Sequence, residues 1–373
     1  MGPMTTKRPS FLSSDSHRSL LRERESHMKN KFTNVLFCFG LVIACNNLLY
    51  GQGCVKGCVV GRPGGGVFSP YLASGQWGFS LGYHGFVSDR HYQGKKPFPE
   101  LDPFGPENRQ HLLSIGVTHG LTSRFSLGAN IPLHFNDFTL NRVPPGGDSL
   151  VRDGTSSNGV GDISVYGQYW LRDTFEHTDW NISAGFFVRT PTGRSDVTDE
   201  IYGQVVPVDW SVQLGDGGWG FAPSVKAFYN FKRVSLNGSA LYLFNPRNTN
   251  DTPAFFPSLS GRPNPPLNTV ADQFSGHFGA AFNLGHRLPV PTLSYRINAV
   301  PINDAIGNSE GFRRPATLGF VEPGVEYSIG RHTLHFSVAI LQYVNIKDSP
   351  YSARVEDATV PKHLFLAGYS TRF

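Results

Sequence analysis

Alternation of apolar and polar side chains with a period of two is the feature that most constrains the fold of this chain. It starts near residue 76 and recurs in segment after segment as far as Phe373. Successive side chains of a β-strand point to opposite faces, so this period predicts strands whose two faces meet different surroundings. No stretch after residue 51 has the run of about 18 apolar residues that marks a membrane-spanning helix. The chain is therefore predicted to be all-β.

The alternating segments are joined by connections of unequal length. The segments cover residues 76–88, 109–121, 123–136, 159–172, 179–190, 217–231, 233–245, 272–285, 291–303, 317–329, 332–344 and 362–373. Long and short connections follow one another, and the short ones fall near residues 122, 173–178, 232, 286–290 and 330–331. Short turns at one end and long loops at the other are typical of a transmembrane β-barrel.

This pattern predicts a transmembrane antiparallel β-barrel of about twelve strands over residues 76–373. Charged residues make up only 16% of the chain and aromatic residues 13%, which suits strands that turn one face to lipid and the other to a polar interior. An even number of strands places both termini on the periplasmic side. Residues 203–215 are assigned to a loop, and the strand count becomes fourteen if they form a further pair.

The N-terminal part reads as a targeting segment. Residues 28–51 combine a basic start with an apolar run, Val35–Ala44, of the length of a secretory signal. We assign residues 1–27 to an upstream extension or a mis-assigned start, and residues 52–75 to a periplasmic segment. An alternative reads Val42–Cys45 as the site of a lipid anchor. Export together with a barrel predicts the outer membrane of a Gram-negative-type bacterium.

The cysteines and the net charge limit the other classes of partner. After the signal only Cys54 and Cys58 remain, and an oxidising cell envelope permits a disulfide between them. This short stretch offers too few ligands for a metal site, and no cofactor is expected. Residues 1–51 hold seven of the 33 Lys and Arg and three of the 28 Asp and Glu, which leaves 26 against 25. Without a basic patch, a nucleic acid partner is not expected.

The last segment, residues 362–373, resembles the C-terminal signal of outer-membrane barrels. Phe365, Tyr369 and Phe373 share one face of it, and Phe373 ends the sequence. The resemblance implies that the barrel insertion machinery reads this strand. Outer-membrane lipid and this machinery are therefore expected partners.

Ionisable residues on the predicted inner face are the candidates for lining the lumen. They are His84, Asp162, Arg189, Lys226, His277, Arg296, Glu322, Glu326 and His335. Such charges can set the selectivity of a pore, or they can pair with one another and fill the interior. Apolar residues also point inward and favour either filling or a path for apolar solutes. These are Phe187, Phe228, Leu241, Leu243, Phe320 and Leu341.

His335 and Ser337 share the inner face of one predicted strand, as a His and a Ser do in some outer-membrane lipases. Nucleophilic catalysis needs a base within hydrogen-bond reach of the hydroxyl and a third group that orients the base. The sequence names no such third group, and it contains neither a phosphate-binding loop nor zinc-ligand spacing. An enzyme is therefore not predicted.

Three segments resemble the outer-membrane family named for the MetA pathway of phenol degradation. They are Gly159–Trp170, with its Gly-Val-Gly-Asp start, then Pro191–Asp196 and Gln213–Trp219, in the order of that family. The resemblance implies a barrel that passes small compounds, including hydrophobic or aromatic ones, and it carries over no catalytic residues.

The sequence thus predicts a passive channel or facilitator for a small-molecule solute. The alternative is a filled structural barrel whose external loops bind a partner. The two differ in whether the lumen is open.

Overall fold

The computed structural model describes residues 71–373 apart from Phe104 and residues 255–265, 286–287 and 349–356. The predicted signal, residues 28–51, and the Cys54–Cys58 pair lie outside the described residues. The strands are β1 (Trp77–Gln93), β2 (Lys96–Pro97), β3 (Glu107–Gly120), β4 (Phe125–Arg142), β5 (Val151–Val160), β6 (Ser164–Trp170), β7 (Trp180–Arg189), β8 (Thr198–Ile201), β9 (Gln204–Pro207), β10 (Gly220–Phe231), β11 (Val234–Leu243), β12 (Thr249–Pro253), β13 (Leu267–Thr269), β14 (Gln273–Phe282), β15 (Val290–Val300), β16 (Ala316–Ile329), β17 (His332–Ile346) and β18 (Asp357–Arg372). Short 3₁₀ turns occupy Pro99–Leu101 and Trp210–Val212.

Twelve antiparallel strand positions close into a barrel. Their order is β1, β3, β4, β5 with β6, β7, β10, β11, β14, β15, β16, β17 and β18. The last strand pairs with the first from Gly78↔Arg372 to Gln93↔Asp357. Trp77 and Phe373 exchange both backbone hydrogen bonds, each 2.9 Å from N to O. Closure leaves no open sheet edge in the hydrocarbon, where an unpaired backbone group costs several kcal/mol.

The fourth position of the barrel is shared by two strands, β5 and β6. Both pair with β4, β5 from Leu133↔Val160 to Arg142↔Val151 and β6 from Phe125↔Tyr169 to Asn130↔Ser164. Residues 161–163 interrupt the strand between them. The chain therefore fills twelve positions rather than fourteen.

Residues 203–215 do not add a pair of barrel strands. β9 pairs only with β8, in a two-stranded sheet of its own, and the 3₁₀ turn Trp210–Val212 follows. The fourteen-strand alternative is therefore wrong.

The region predicted as a loop over residues 137–158 is largely strand. β4 continues to Arg142 and pairs with β5 along its whole length. The outward residues of β4 include the exposed and charged Asp137. The alternation of apolar and polar residues therefore stops before the strand ends, and the sequence predicts too short a strand. β1 and β18 are also longer than predicted at the same end of the barrel. β1 continues to Gln93, and β18 begins at Asp357.

The two faces of the wall differ as the alternation predicts. Outward side chains are apolar and exposed, among them Val117, Leu127 and Phe336. Inward side chains include buried polar residues such as Asn181 and Ser294. A barrel in lipid is arranged in this way, with an apolar band outside and polar groups inside.

The two ends of the barrel also differ. We call one the short-turn end, because residues 121–124, 171–179, 232–233, 283–289 and 330–331 connect strands there. The other is the long-loop end, where loops such as residues 190–219 and 244–272 connect strands. β1 begins and β18 ends at the short-turn end, which the sequence assigns to the periplasm. No helix in the described part of the chain has the length and hydropathy to cross a membrane.

Candidate functional site in the barrel interior

One side of the interior, towards the long-loop end, is apolar. We call this surface the apolar wall, and its buried side chains come from β1, β16, β17 and β18. They are Phe86, Ala316, Leu318, Phe320, Ala339, Val344, Ile346, Ala358, Val360 and Leu364. Phe320, which the sequence places inside, is 0% exposed, as is Leu318. Burial of this surface contributes stability in proportion to the apolar area removed from water.

A cluster of polar and ionisable side chains follows the apolar wall towards the short-turn end. Glu322 is 2% exposed, and its Oε2 accepts hydrogen bonds from Arg296 Nε at 2.8 Å and Nη2 at 2.7 Å. Its Oε1 accepts one from Ser337 Oγ at 2.8 Å. These bonds compensate for the cost of taking the carboxylate out of water. We call Arg296, Glu322, His335 and Ser337, with the buried His84 and Glu326, the charged cluster.

His335 and Ser337 do contact each other, with 3.1 Å between Nε2 and Oγ. The Ser337 hydroxyl, however, donates its proton to Glu322 and not to His335. A hydroxyl activated as a nucleophile donates to the base instead. Glu326 stands directly opposite His335 in the β16–β17 register, so a carboxylate neighbour exists that the sequence did not reveal. The bonding favours a structural network over a catalytic one.

Lys226 lies on another part of the interior. Its Nζ donates to Gln168 Oε1 at 2.9 Å, and Gln168 Nε2 donates to Ser183 Oγ at 2.9 Å. The three residues belong to the neighbouring strands β10, β6 and β7. His277 lies between Ser239 and Arg296 in the register of β14 with its neighbours. The structure therefore distributes the predicted inner-face charges over more than one cluster.

The three sequence motifs meet at one place, which we call the motif junction. Asp162, between β5 and β6, accepts the backbone N–H of Gly193 at 2.9 Å and that of Asp216 at 3.0 Å. Arg189 forms ion pairs with both Asp162 and Asp216. The three side chains are at most 12% exposed. Asp162 thus holds both ends of the β7–β10 loop, residues 190–219, against the segment between β5 and β6.

Glycine at the motif junction permits backbone segments to touch. A Cβ added at Gly193 would lie 2.9 Å from the carbonyl carbon of Gly161 and 2.9 Å from the Cα of Gly215. A separation under 3.0 Å is closer than real Cβ atoms approach, and here the neighbours are backbone. The three motifs therefore supply glycine where only glycine fits.

The β7–β10 loop folds against the inner face of β3, β4 and β5. Gln110 Nε2 donates to the Ser211 carbonyl at 2.8 Å, and Asn136 Nδ2 donates to the Val212 carbonyl at 3.4 Å. Phe138 packs with Val208 and Val212. The loop therefore occupies part of the barrel interior.

A polar network continues from the motif junction across the neighbouring loops. Arg189 Nη2 donates to Asn245 Oδ1 at 2.9 Å, and the Asn245 N–H donates to Asp272 Oδ1 at 2.7 Å. The Asp272 N–H donates to Asp304 Oδ1 at 2.8 Å, and Arg313 pairs with Asp304. Both side chains of that pair are at most 1% exposed. Burial raises the pKa of the Asp272 carboxyl.

Sequence reasoning missed this part of the network because Asn245, Asp304 and Arg313 fall at the ends of predicted strands or in loops. Their contacts join segments far apart in the chain, such as Arg313 to Thr269. No periodic signal in the sequence marks such contacts.

The short-turn mouth is crossed by the chain that precedes β1. The Tyr71 ring lies 5.0 Å from that of Trp170 and 5.6 Å from that of Phe228, between centroids. A few residues later the Gly75 N–H donates to the Gly120 carbonyl at 2.7 Å. The segment therefore runs from the β6–β10 side to the β1–β3 side.

A closed antiparallel barrel with an apolar outer face and buried polar side chains inside has the fold of outer-membrane β-barrels. Among solved structures, the chain is similar to the COG4313 outer membrane channel from Pseudomonas putida F1, with 12% identity and a TM-score of 0.56. The match covers 81% of this chain and 97% of that one. This likeness supports the barrel fold.

A second similar structure is the Ralstonia pickettii toluene transporter TbuX, at 11% identity over 81% of this chain and 90% of that one. Its TM-score is 0.40. No family model and no curated protein matches the sequence. Within the described ranges, no group of three or more His, Cys, Asp or Glu is arranged to hold a metal ion.

Proposed function

We propose that this barrel is a passive channel for small molecules and that it admits hydrophobic or aromatic solutes along the apolar wall. The observation that carries this proposal is the apolar wall itself. A water-filled pore gains nothing from an interior of Phe, Leu and Val, since hydrating such a surface is unfavourable. Binding sites for small apolar ligands, in contrast, are lined mainly by such side chains with a few placed polar groups.

The charged cluster supplies the polar groups beside the wall. On β16 the apolar residues Leu318 and Phe320 are followed on the same face by Glu322. A solute moving from the long-loop end would first have to part the packed apolar side chains, since Leu318 and Phe320 are 0% exposed, and would then meet hydrogen-bonding groups. We assign His84, Arg296, Glu322, Glu326 and His335 to the lining of this path, with Lys226 and His277 further round the interior. Asp162 and Arg189 hold the β7–β10 loop at its entrance.

The proposed orientation puts the short-turn end and both termini in the periplasm. The exposed outward rings of Phe365 and Phe373 support the proposal that the insertion machinery reads β18. Outer-membrane lipid would surround the apolar outer face.

A second function is a filled barrel whose external loops bind a partner. The specific observation in its favour is the burial of the interior: Leu318, Phe320 and Val360 are 0% exposed. The β7–β10 loop and the Tyr71 segment add to the filling from either end. The two functions make opposite predictions for conduction.

The test is single-channel recording on protein purified from outer membranes and inserted into a planar bilayer. We expect discrete conductance steps, together with vesicle uptake of an uncharged aromatic solute that exceeds uptake of a sugar of similar size. Phe320→Ser should lower that ratio, and the lipid-facing Phe336→Ser, as a matched control, should leave it unchanged. A protein that inserts and folds yet neither conducts nor takes up either solute would establish the filled barrel.

A further inference from the structure

The rim of the short-turn end carries an uneven distribution of charge. The connections β10–β11, β14–β15 and β16–β17 follow one another along the rim, since their strands are consecutive in the sheet. The first holds Lys232 and Arg233 and the third holds Arg331, all exposed. The sequence of the second contains Arg287, and none of the three connections contains Asp or Glu. Half of the rim is therefore basic without acidic residues.

The other half of the rim is different. The β6–β7 connection, residues 171–179, contains Asp173, Glu176 and Asp179. Arg172 pairs with Asp179 at 3.2 Å. A hydrogen bond from the Ser123 hydroxyl, with backbone N–H bonds and the charge of Arg124, lowers the pKa of Asp173. On this side the cations have carboxylate neighbours.

In the part of the chain that the structure describes, Lys232, Arg233 and Arg331 form no salt bridge with a carboxylate. Cations near the long-loop end are more often paired, for example Arg90 with Asp102. Cations without a carboxylate partner, collected on one arc, can take their counter-charge from outside the chain.

These cations also lie where the apolar outer surface ends. Phe231 is 54% exposed and Ile329 is 59% exposed, each next to a basic turn. Lys232 Nζ lies 5.2 Å from the centroid of the Phe231 ring. Long basic side chains at a membrane boundary cover apolar surface with their stems and reach the headgroups with their charge.

We propose that Lys232, Arg233 and Arg331 form a basic rim that binds the phosphate groups of anionic phospholipids in the adjacent leaflet. Lys and Arg near a membrane surface attract anionic lipid, and guanidinium groups bond phosphate oxygens in pairs. The rim lies outside the barrel, so this proposal is independent of what passes through the interior.

The test measures how strongly spin-labelled phosphatidylglycerol associates with the reconstituted protein, relative to spin-labelled phosphatidylcholine. We expect the wild-type protein to favour phosphatidylglycerol, and each cation removed to reduce the preference by roughly twofold to fivefold at low salt. The variant is Lys232→Asn with Arg233→Gln. Asn is chosen because Lys232 has φ of 52°, a conformation that Asn tolerates.

The matched control is Lys95→Asn with Lys96→Gln, an adjacent and exposed basic pair at the long-loop end. It removes the same charge and should leave the preference unchanged. If the rim double variant fails to fold, as judged by its mobility on a gel before and after heating, Arg331→Gln alone should give a smaller loss. Equal association of the two lipids with the wild-type protein, or equal losses in rim and control variants, would overturn the proposal.

Two additions distinguish the sources of phosphate. Inorganic phosphate and chloride at equal ionic strength should weaken the preference equally, because the headgroups are held in the membrane. A stronger effect of inorganic phosphate would identify a site for the free anion and contradict lipid binding. Lipopolysaccharide added to the same vesicles should not displace phosphatidylglycerol, and displacement would assign the rim to that lipid instead.

Discussion

The motif junction lies across the strand order from the apolar wall, and its polar network extends through the loops to Arg313, three residues before the wall residue Ala316. The wall and the network are built in different ways. The wall consists of paired strands, and its residues lie inside because the register turns alternate side chains inward on either side of a shift at Gly319 and Phe320. The network consists mainly of loops and strand ends, and its residues are held by individual hydrogen bonds, such as the 2.7 Å bond from the Asn245 N–H to Asp272. An apolar surface tolerates substitution by other apolar side chains of similar volume. The stability of a buried polar network, in contrast, depends on the presence of every hydrogen-bond partner. The apolar wall is therefore expected to tolerate substitution better than the polar network.

Removing a partner from the network should have the largest effect on this contrast. Arg313→Ala leaves the Asp304 carboxylate buried without its guanidinium, and we expect a loss of about 3–5 kcal/mol in the free energy of unfolding. Urea unfolding in lipid vesicles, followed by Trp fluorescence, measures it. Arg247→Ala is the control, because Arg247 pairs with Asp251 at the surface, where both side chains are exposed. A loss there of about 1 kcal/mol or less is expected. Equal losses would contradict the proposed role of burial.

Truncating the wall should have a somewhat smaller effect. Leu318→Ala leaves a cavity among fully buried neighbours, and a loss of about 2–4 kcal/mol is expected. Leu318→Met, which nearly preserves volume, should cost less than about 1.5 kcal/mol. The same unfolding assay distinguishes the two variants. If Leu318→Met lowered the free energy of unfolding as much as Leu318→Ala, the wall would be as sensitive to substitution as the network.

Gly193→Ala tests how closely the motif junction is packed. The added methyl group would collide with the backbone of Gly161 and Gly215, so a loss of about 1–3 kcal/mol is expected, together with faster proteolysis within residues 190–219. Gly82→Ala is the control, since a Cβ there would meet only Ser114 Cβ at an ordinary 3.7 Å. Cleavage sites and rates, compared by mass spectrometry, report the result. Unchanged proteolysis in Gly193→Ala would show that the junction does not hold the loop.

The smallest expected effect is a dependence of the network on pH. Burial raises the pKa of Asp272 above its unfolded value, despite the Asn245 and Ala305 N–H donors and with Asp304 adding to the rise. The folded state then binds the proton more tightly, so this contribution is present below the unfolded pKa of about 4 and is lost as pH rises through the folded pKa. The protection of the loop amides against hydrogen exchange, taken relative to the intrinsic exchange rate at each pH, should therefore fall across that interval. Asp272→Asn should remove the dependence, and a dependence that persists would assign it to another group.

The strand positions could be predicted from the sequence because the outward face of a barrel strand must be apolar wherever it meets lipid. The exposed apolar residues Leu127 and Phe336, for example, indicate which face of their strands points outward. Where a strand leaves the lipid this requirement ends, so the extension of β4 past Asp137 was predicted as loop. Alternation also gave the inward direction of Phe320, but it does not show which inward residues collect on one side.

The motif junction could be predicted only in part. The sequence picks out its three segments, but not their contact, since Asp162 and Asp216 lie 54 residues apart in the chain. Hydrogen bonds between loops have no periodic signal, and this is why Asn245 and Arg313 were missed. The carboxylate opposite His335 was likewise hidden, because the pairing of β16 with β17 brings Glu326 there.

The seam between Trp77 and Phe373 has a consequence for the order of assembly. The chain closes on itself only when its most distant strands meet, so the barrel cannot be completed while β18 is still being made. Every earlier intermediate has two free edges and must be protected from pairing with other chains. Tyr71 and its neighbours are joined directly to β1, and the Tyr71 ring contacts Trp170 and Phe228 on the other side of the mouth. The closed barrel therefore holds a part of its own chain across the end at which Trp77 and Phe373 complete the seam.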